Sequence, residues 1–383
     1  MFRFFLVLAL VLFQPLAPRA ETDLKRQLET LTAKMPATVG VAVIIDGTET
    51  VTVNNDQRFP LMSVFKFHQA LALADRMAAQ GMPLETEIWV TKRDLPQNTW
   101  SPLRDARPEG NFAIPVEELL RLTLQESDNN ACDILFDRIC SVKDTEAYIH
   151  GLGIRDCAIS ATEADMHADL TRCRDNWTTP LAMARLLERF LTENILPAAQ
   201  HDFIKATMIG CTTGANRLAR PLAGTGASLG HKTGTSDRDP DGRLMALNDA
   251  GFVLLPDGRH YVIAVFIKDS WASDAETEAM IAEISSCVYR HINSLPPCPQ
   301  RSADQLASPE ISKLIFSRII NTLREKSRRP VPCSPHPLLT KSLSPVRLAM
   351  KSTYPCVKKP ANPPPHPFAA GRAWHHGFWA TTL

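Results

Sequence analysis

Ser63 and Lys66 stand three positions apart at the head of the apolar stretch FPLMSVFKFHQALALADRM. The pattern predicts a helix over 63–80, closed by Gly81. Three positions put both side chains on one helical face. A serine hydroxyl is a weak nucleophile until a base or a strongly positive environment activates it. A lysine beside it serves once its proton is lost, or acts through a held water. The free N–H groups of a helix start favour developing negative charge, and the backbone N–H of Ser63 is a natural oxyanion donor. Taken alone, the pair fits a helix cap beside a surface lysine at least as well.

Two further polar clusters carry similar chemistry. In LQESDNNACDILF, Ser127, Asp128 and Asn129 form a polar break between apolar helical segments; ordinary helix capping explains them equally. In GHKTGTSD, Lys232 and Thr233 are expected on a strand, and Gly234 leaves room for a substrate backbone to approach. A basic turn is the plainer alternative there.

Taken in order, SVFK at 63–66, SDN at 127–129 and KTG at 232–234 resemble the signature of the penicillin-recognising acyl-serine enzymes. That family holds the serine β-lactamases and the penicillin-binding proteins. The resemblance spans about residues 23–292, and it implies a small-molecule β-lactam substrate. By the same implication Ser63 is acylated, Lys66 takes its proton directly or by relay, and Ser127 protonates the departing β-lactam nitrogen. Asn129 holds the substrate amide, while Lys232 with Thr233 or Thr235 binds the carboxylate. The backbone N–H groups of Ser63 and Thr235 make the oxyanion hole.

Within this family the fate of the acyl-enzyme divides hydrolases from cell-wall peptidases. Fast release needs a general base aimed at the ester carbonyl. Glu163, in SATEADMHADLTRCRDNWT, sits in a polar stretch of little periodicity that resembles the class A β-lactamase omega loop. His167 stands where the usual pattern has asparagine. With EADMHAD, TTGANR and HKTGTS, it brings the chain nearer the extended-spectrum PER-like and VEB-like branch. That likeness implies penicillin and cephalosporin hydrolysis, antibiotic resistance, and no metal or organic cofactor. The spacing of His167 with Cys157 and Cys173 fits no usual zinc cluster. Arg243, after the DRDPDG insertion, corresponds to an arginine that meets the substrate carboxylate through a bidentate fork. Arg217 in TTGANR resembles an arginine of the same branch and also reads as a structural anchor. A D,D-peptidase or penicillin sensor would share the three motifs without needing Glu163, and a non-catalytic protein of the same fold stays open.

The elements that must position these residues are legible in outline. A helix over 23–35 precedes a hairpin, VGVAVIIDG with ETVTVNND, turning at Asp46-Gly47. Helices follow over 63–80, 116–125, 130–140, 180–191 and 201–208, then strands over 244–255 and 260–268 and a closing helix over 272–292. The expected fold is α+β, an α/β sandwich. An antiparallel sheet is flanked by terminal helices and carries an all-helical subdomain inserted at about 62–210. The site is expected in the cleft between the parts.

Residues 1–20 combine Arg3 with an apolar run over 4–13, too short for a bilayer span of roughly 20 residues. We expect a signal peptide with an imperfect cleavage site, since Pro18 occupies a small-residue position. The mature protein is then periplasmic or secreted, with no stable membrane association. Lysine and arginine total 42 against 41 acids, a net charge of +1, which indicates no nucleic-acid partner. A monomer is expected. Nine cysteines, an odd number without a CxxC pair, leave buried thiols and disulfides both open. Residues 293–383 hold 15 of the 29 prolines and one short helical pattern over 311–326. This extension is expected to be disordered and dispensable, or the product of a shifted reading frame.

Overall fold

The computed structural model describes residues 23–295; the expected leader over 1–20 and almost all of the proline-rich extension lie outside the described residues. Five strands form an antiparallel sheet in the order Glu49–Val53, Thr38–Ile45, His260–Ser270, Leu244–Leu254, Ser228–Thr235. The first hairpin turns at Asp46 and Gly47, both left-handed (φ 47° and 66°), as a tight two-residue turn requires. Thr38–Ile45 is buried from its second residue onward, because both sheet faces are covered and no alternation with solvent survives.

Each face has its own core. Val41, Val43, Ile263 and Val265 lie in one cluster with Leu24, Leu28, Ile281 and Val288 of the terminal helices Asp23–Thr32 and Asp274–Ser294. Ala42, Ile44, Ala264 and Phe266 lie in the other cluster, with Phe67, Leu186 and Phe190. The closing helix starts on a reciprocal cap between Ser273 and Glu276. The α+β fold expected from the sequence is therefore the one observed.

The helix Phe65–Ala79 runs through the middle of the second core, with Lys66, His68 and Gln69 buried among its apolar residues. A helix covered on all sides has no solvent face to alternate with. Around it lie Val116–Gln125, Asn129–Arg138, Val142–Gly151 and Ala198–Ile209, while Pro180–Thr192 packs on the sheet.

Four local features differ from expectation. The insert expected to be all-helical also carries a two-stranded sheet, Glu87–Val90 paired with Phe112–Pro115. The helix expected at Ser63 begins at Phe65; Ser63 belongs to a preceding 3-10 turn, Met62–Val64. Val142–Gly151, capped by Ser141, had not been anticipated. The stretch around Glu163, expected to be irregular, holds the helix Glu163–Ala168, with Thr162 and Asp165 forming its capping box. Six residues are too few to show periodicity.

Candidate active site

The turn bearing Ser63 is held from the sheet side. Asn248, fully buried on the strand Leu244–Leu254, donates through Nδ2 to the carbonyls of Pro60 (2.8 Å) and Leu61 (3.1 Å). Leu61 N–H donates to Asn176 O at 2.8 Å. Met62 adopts φ 45°, a conformation few side chains tolerate, so packing must impose it. Gly234 explains how the turn comes so close to the edge strand. A Cβ there would lie 2.7 Å from Leu61 O and 3.0 Å from Met62 Cβ. The sequence suggested room for a substrate backbone; the close neighbour the structure shows there is the Ser63 turn.

Glu163 Oε1 is where the distant segments meet. It accepts from Ser63 Oγ at 3.2 Å and pairs with Lys66 Nζ at 2.9 Å. Lys66 Nζ also donates to Ser127 O (2.7 Å) and Asn129 Oδ1 (2.6 Å). An ammonium has three N–H groups, and here three acceptors surround it. Among the described residues Ser63 Oγ has no hydrogen bond to Lys66. Asn129 Nδ2 donates to Thr99 Oγ1 at 2.7 Å.

The SDN cluster divides its labour. Asp128 is buried and caps the helix Asn129–Arg138 through Ala131 N–H, while also accepting from Leu103 N–H and Ser101 Oγ. The capping explanation is thus true of the middle residue. Its bonds leave Ser127 (φ 61°) and Asn129 lining the cleft.

Asp133 is a site residue that the motifs did not disclose. Its carboxylate accepts from Glu163 N–H (2.9 Å) and Ala164 N–H (2.7 Å), fastening the first turn of the short helix. Burial, with Glu163 nearby, raises the Asp133 pKa to about 6 despite those two donors. Its position four residues after Asn129, on the same helical face, was the available signal. Asn176 closes the loop's neck, accepting from Ser160 and Ala161 N–H and donating to Ala161 O.

Lys232 is fully buried on the edge strand, with Nζ donating to Ser127 Oγ (3.0 Å) and Thr233 O (2.9 Å). Burial, then repulsion from Lys66, brings its pKa down to about 7. Thr233 Oγ1 lies 2.6 Å from Thr213 Oγ1, and Thr235 is exposed at the cleft. Two arginines flank this strand. Arg243 lines the cleft, with its guanidinium paired to Asp239 (3.0 Å) and Asp269 (3.4 Å). Arg217 lies behind the KTG strand, donating to Gly234 O (3.2 Å), Asn248 O (3.0 Å) and Thr235 Oγ1 (2.8 Å), with Glu278 at 3.0 Å. His167 is exposed on the cleft wall and makes no hydrogen bond among the described residues. The cleft has a volume of about 1080 Å³. The six described cysteines are free thiols.

A serine turn beneath an antiparallel sheet, facing a buried lysine and a carboxylate on a loop, defines a serine acyl-transfer enzyme of the penicillin-recognising type. The model of the β-lactamase enzyme family matches residues 23–292, and the chain belongs to that family, on its class A side. A β-lactamase of Bacteroides uniformis is 42% identical over 269 residues, covering 70% of this chain and 90% of that protein. The extended-spectrum β-lactamase PER-1 of Pseudomonas aeruginosa is 36% identical, covering 74% of this chain and 92% of its own. The crystal structure of a class A representative from Bacteroides cellulosilyticus superposes with a TM-score of 0.69 at 42% identity, covering 71% of this chain and 98% of that one. Serine-dependent β-lactam hydrolysis is the general activity this membership supports.

Proposed function

We propose that the protein hydrolyses penicillins and cephalosporins through an acyl-Ser63 intermediate, as an exported resistance enzyme of the PER-like and VEB-like branch. The observation that carries the mechanism is Glu163 Oε1, shared by Ser63 Oγ and Lys66 Nζ. Ser63 Oγ attacks the β-lactam carbonyl and gives its proton to Glu163, the acceptor already within reach. Lys66 holds Glu163, Asn129 and the Ser127 carbonyl in register, and is the second group within reach to manage the same proton. The N–H groups of Ser63 and Thr235 receive the oxyanion. Ser127 protonates the departing nitrogen and recovers a proton from Lys232, whose Nζ already donates to it. Glu163 gives up the Ser63 proton through cleft water to Lys232 and is a carboxylate again; it then takes a proton from water as that water attacks the ester, and returns it to Ser63 Oγ as the ester breaks.

Asn129 orients the substrate amide by exchanging its Thr99 bond. Lys232, Thr233 and Thr235, braced by Arg217, bind the carboxylate. The pairing of Glu163 with His167 four positions on, together with the PER-1 and VEB-1 relatives, supports the branch assignment and hence a cleft wide enough for cephalosporins. In this reading the leader directs export, residues 21–292 are the working monomer with its helical insert, and the extension beyond is dispensable.

The deciding experiment follows intact mass and product together after mixing with benzylpenicillin. Rapid product with little lasting adduct is expected. A stable one-to-one adduct would instead make the protein a penicillin-binding peptidase or sensor. A folded sample giving neither adduct nor product would make it a scaffold.

A further inference from the structure

One acid near the end of a sheet strand holds two arginines of the cleft, and the hydrolytic scheme uses none of the three. On the strand His260–Ser270, Lys268 pairs with Ala246 and Ser270 with Leu244, while Asp269 between them takes φ 55°. That left-handed conformation is uncommon outside glycine, though aspartate and asparagine adopt it more readily than most residues. A backbone kept there by its surroundings is a pointer to function. Asp269 Oδ1 receives Arg174 Nη2 at 3.2 Å and lies 3.4 Å from Arg243 Nη1. Arg174 ends the 3-10 turn Leu170–Arg174 of the Glu163 loop, and Arg243 ends the connection that follows the KTG strand. Leu170 and Arg174 of the loop, with Arg238, Pro240 and Arg243 of the connection, line the cleft.

We propose that Asp269 is a positioning residue that draws the Leu170–Arg174 turn toward the connection at 236–243, and so limits the size of acyl chain the cleft accepts. The inference rests on the hydrolase reading. With the substrate amide at Asn129 and its carboxylate at Lys232, the acyl chain is the part left to meet this wall.

The two segments are not equally free to move. Asp133 holds the start of the loop through Glu163 and Ala164 N–H, and Asn176 holds its neck. Between those points the ion pairs of Arg172 stay inside the loop, with Asp165 and Asp175. Among the described residues, Arg174 with Asp269 is the ion pair that ties this turn to the sheet. The connection has further fastenings. Arg238 donates to Ala272 O at 2.8 Å and pairs with Asp274 of the closing helix, and Asp239 holds Arg243 a second time.

The turn is therefore the side that yields when Asp269 loses its charge. Arg174 and Arg243 then face each other as like charges with no acid between them, and the turn moves outward. Glu163 keeps its place, because Asp133 holds it independently of Asp269. Arg243→Ala leaves the connection fastened through Arg238 and leaves Asp269 on Arg174, so the limit on acyl size persists.

The test uses the full chain and two cephalosporins, cephalothin and cefotaxime. Both carry one carboxylate and the same acetoxymethyl-cephem nucleus, so the ratio of their KM values reports the acyl chain. Asp269→Asn keeps the shape and the tolerance for the left-handed backbone and removes the charge. KM for cefotaxime should fall about threefold or more relative to cephalothin, the scale of a partly exposed ion pair. The kcat for cephalothin should stay within about twofold of the parent. Arg174→Gln should move the KM ratio the same way, and the double variant no further than the larger single effect. Raising NaCl from about 0.05 to about 0.5 M screens the pairs, so the parental ratio should drift toward that of D269N while the variant's stays put. Amide exchange over 170–174, read without substrate, should quicken in D269N. An unchanged ratio, a ratio shifted toward cephalothin, or fully additive effects in the double variant would overturn the role of Asp269. A parent that turns over neither cephalosporin would sink the hydrolase reading instead, and faster exchange in D269N would still establish the tie.

Discussion

Ser63 Oγ lies 3.2 Å from Glu163 Oε1, across a hundred positions of chain. The carboxylate reaches the serine because Asp133 grips the first two N–H groups of the helix that Glu163 begins. Lys66 binds the same oxygen, so one carboxylate oxygen connects the nucleophile, the buried ammonium and the loop. In the proposed mechanism a base in this place serves both making and breaking the ester. Replacing it tests that double use.

Glu163→Gln keeps the shape and removes the proton acceptor. Deacylation should slow by about 10²–10⁴-fold, the usual worth of a positioned general base. Acyl-Ser63 should then accumulate in intact-mass spectra after brief exposure to benzylpenicillin. Turnover near the parental rate would place the base elsewhere. Ser63→Ala should form no adduct at all.

Gly234→Ala puts a Cβ 2.7 Å from Leu61 O, and backbone oxygen cannot swing aside as a side chain can. Overpacking of this kind costs about 1–3 kcal/mol. A lower melting temperature and slower acylation are expected, because the clash falls on the Ser63 turn. A parental melting curve would show that the turn yields freely.

Lys232 is drawn down to about 7 by burial and by Lys66, so the free enzyme loses this positive charge as pH rises through neutrality. Attraction for the substrate carboxylate falls with it, giving kcat/KM a declining limb near pH 7. The sign for folding is the opposite. Between about 7 and the ordinary lysine range the unfolded chain binds the extra proton, so this residue's contribution to stability rises with pH. Lys232→Arg, always charged, should erase the kinetic limb. A limb unchanged in that variant would belong to another group.

Arg217 and Arg243 should behave differently. Arg217→Ala removes donors from Thr235 Oγ1 and two buried carbonyls, and KM for carboxylate-bearing substrates should rise at least tenfold. Arg243→Ala breaks solvent-facing pairs with Asp239 and Asp269, and kcat/KM should change less than threefold. The reverse ranking in steady-state kinetics would restore Arg243 to the carboxylate site.

Much of the frame was legible in the chain itself. The hairpin at Asp46-Gly47, the strands near 244 and 260, and the closing helix follow from turn residues and local periodicity, which depend on neighbours a few positions apart. SxxK, SDN and KTG named the chemical types and their order, since those spacings are local too. The helix at Glu163 was hidden because its six residues carry no full period, and Val142–Gly151 because its apolar face is sparse.

Convergence was decided by packing. No local pattern says that Asp128 turns inward to cap while its neighbours face the cleft, or that Gly234 lies against Leu61. Nor does one say that Arg217 reaches Thr235 while Arg243 is held by acids. Each of these contacts joins segments brought together by burying separate apolar faces on one sheet. The sequence determined which groups are available and which elements carry them; the tertiary structure decided which atoms meet, because long-range distances follow from how the whole core packs.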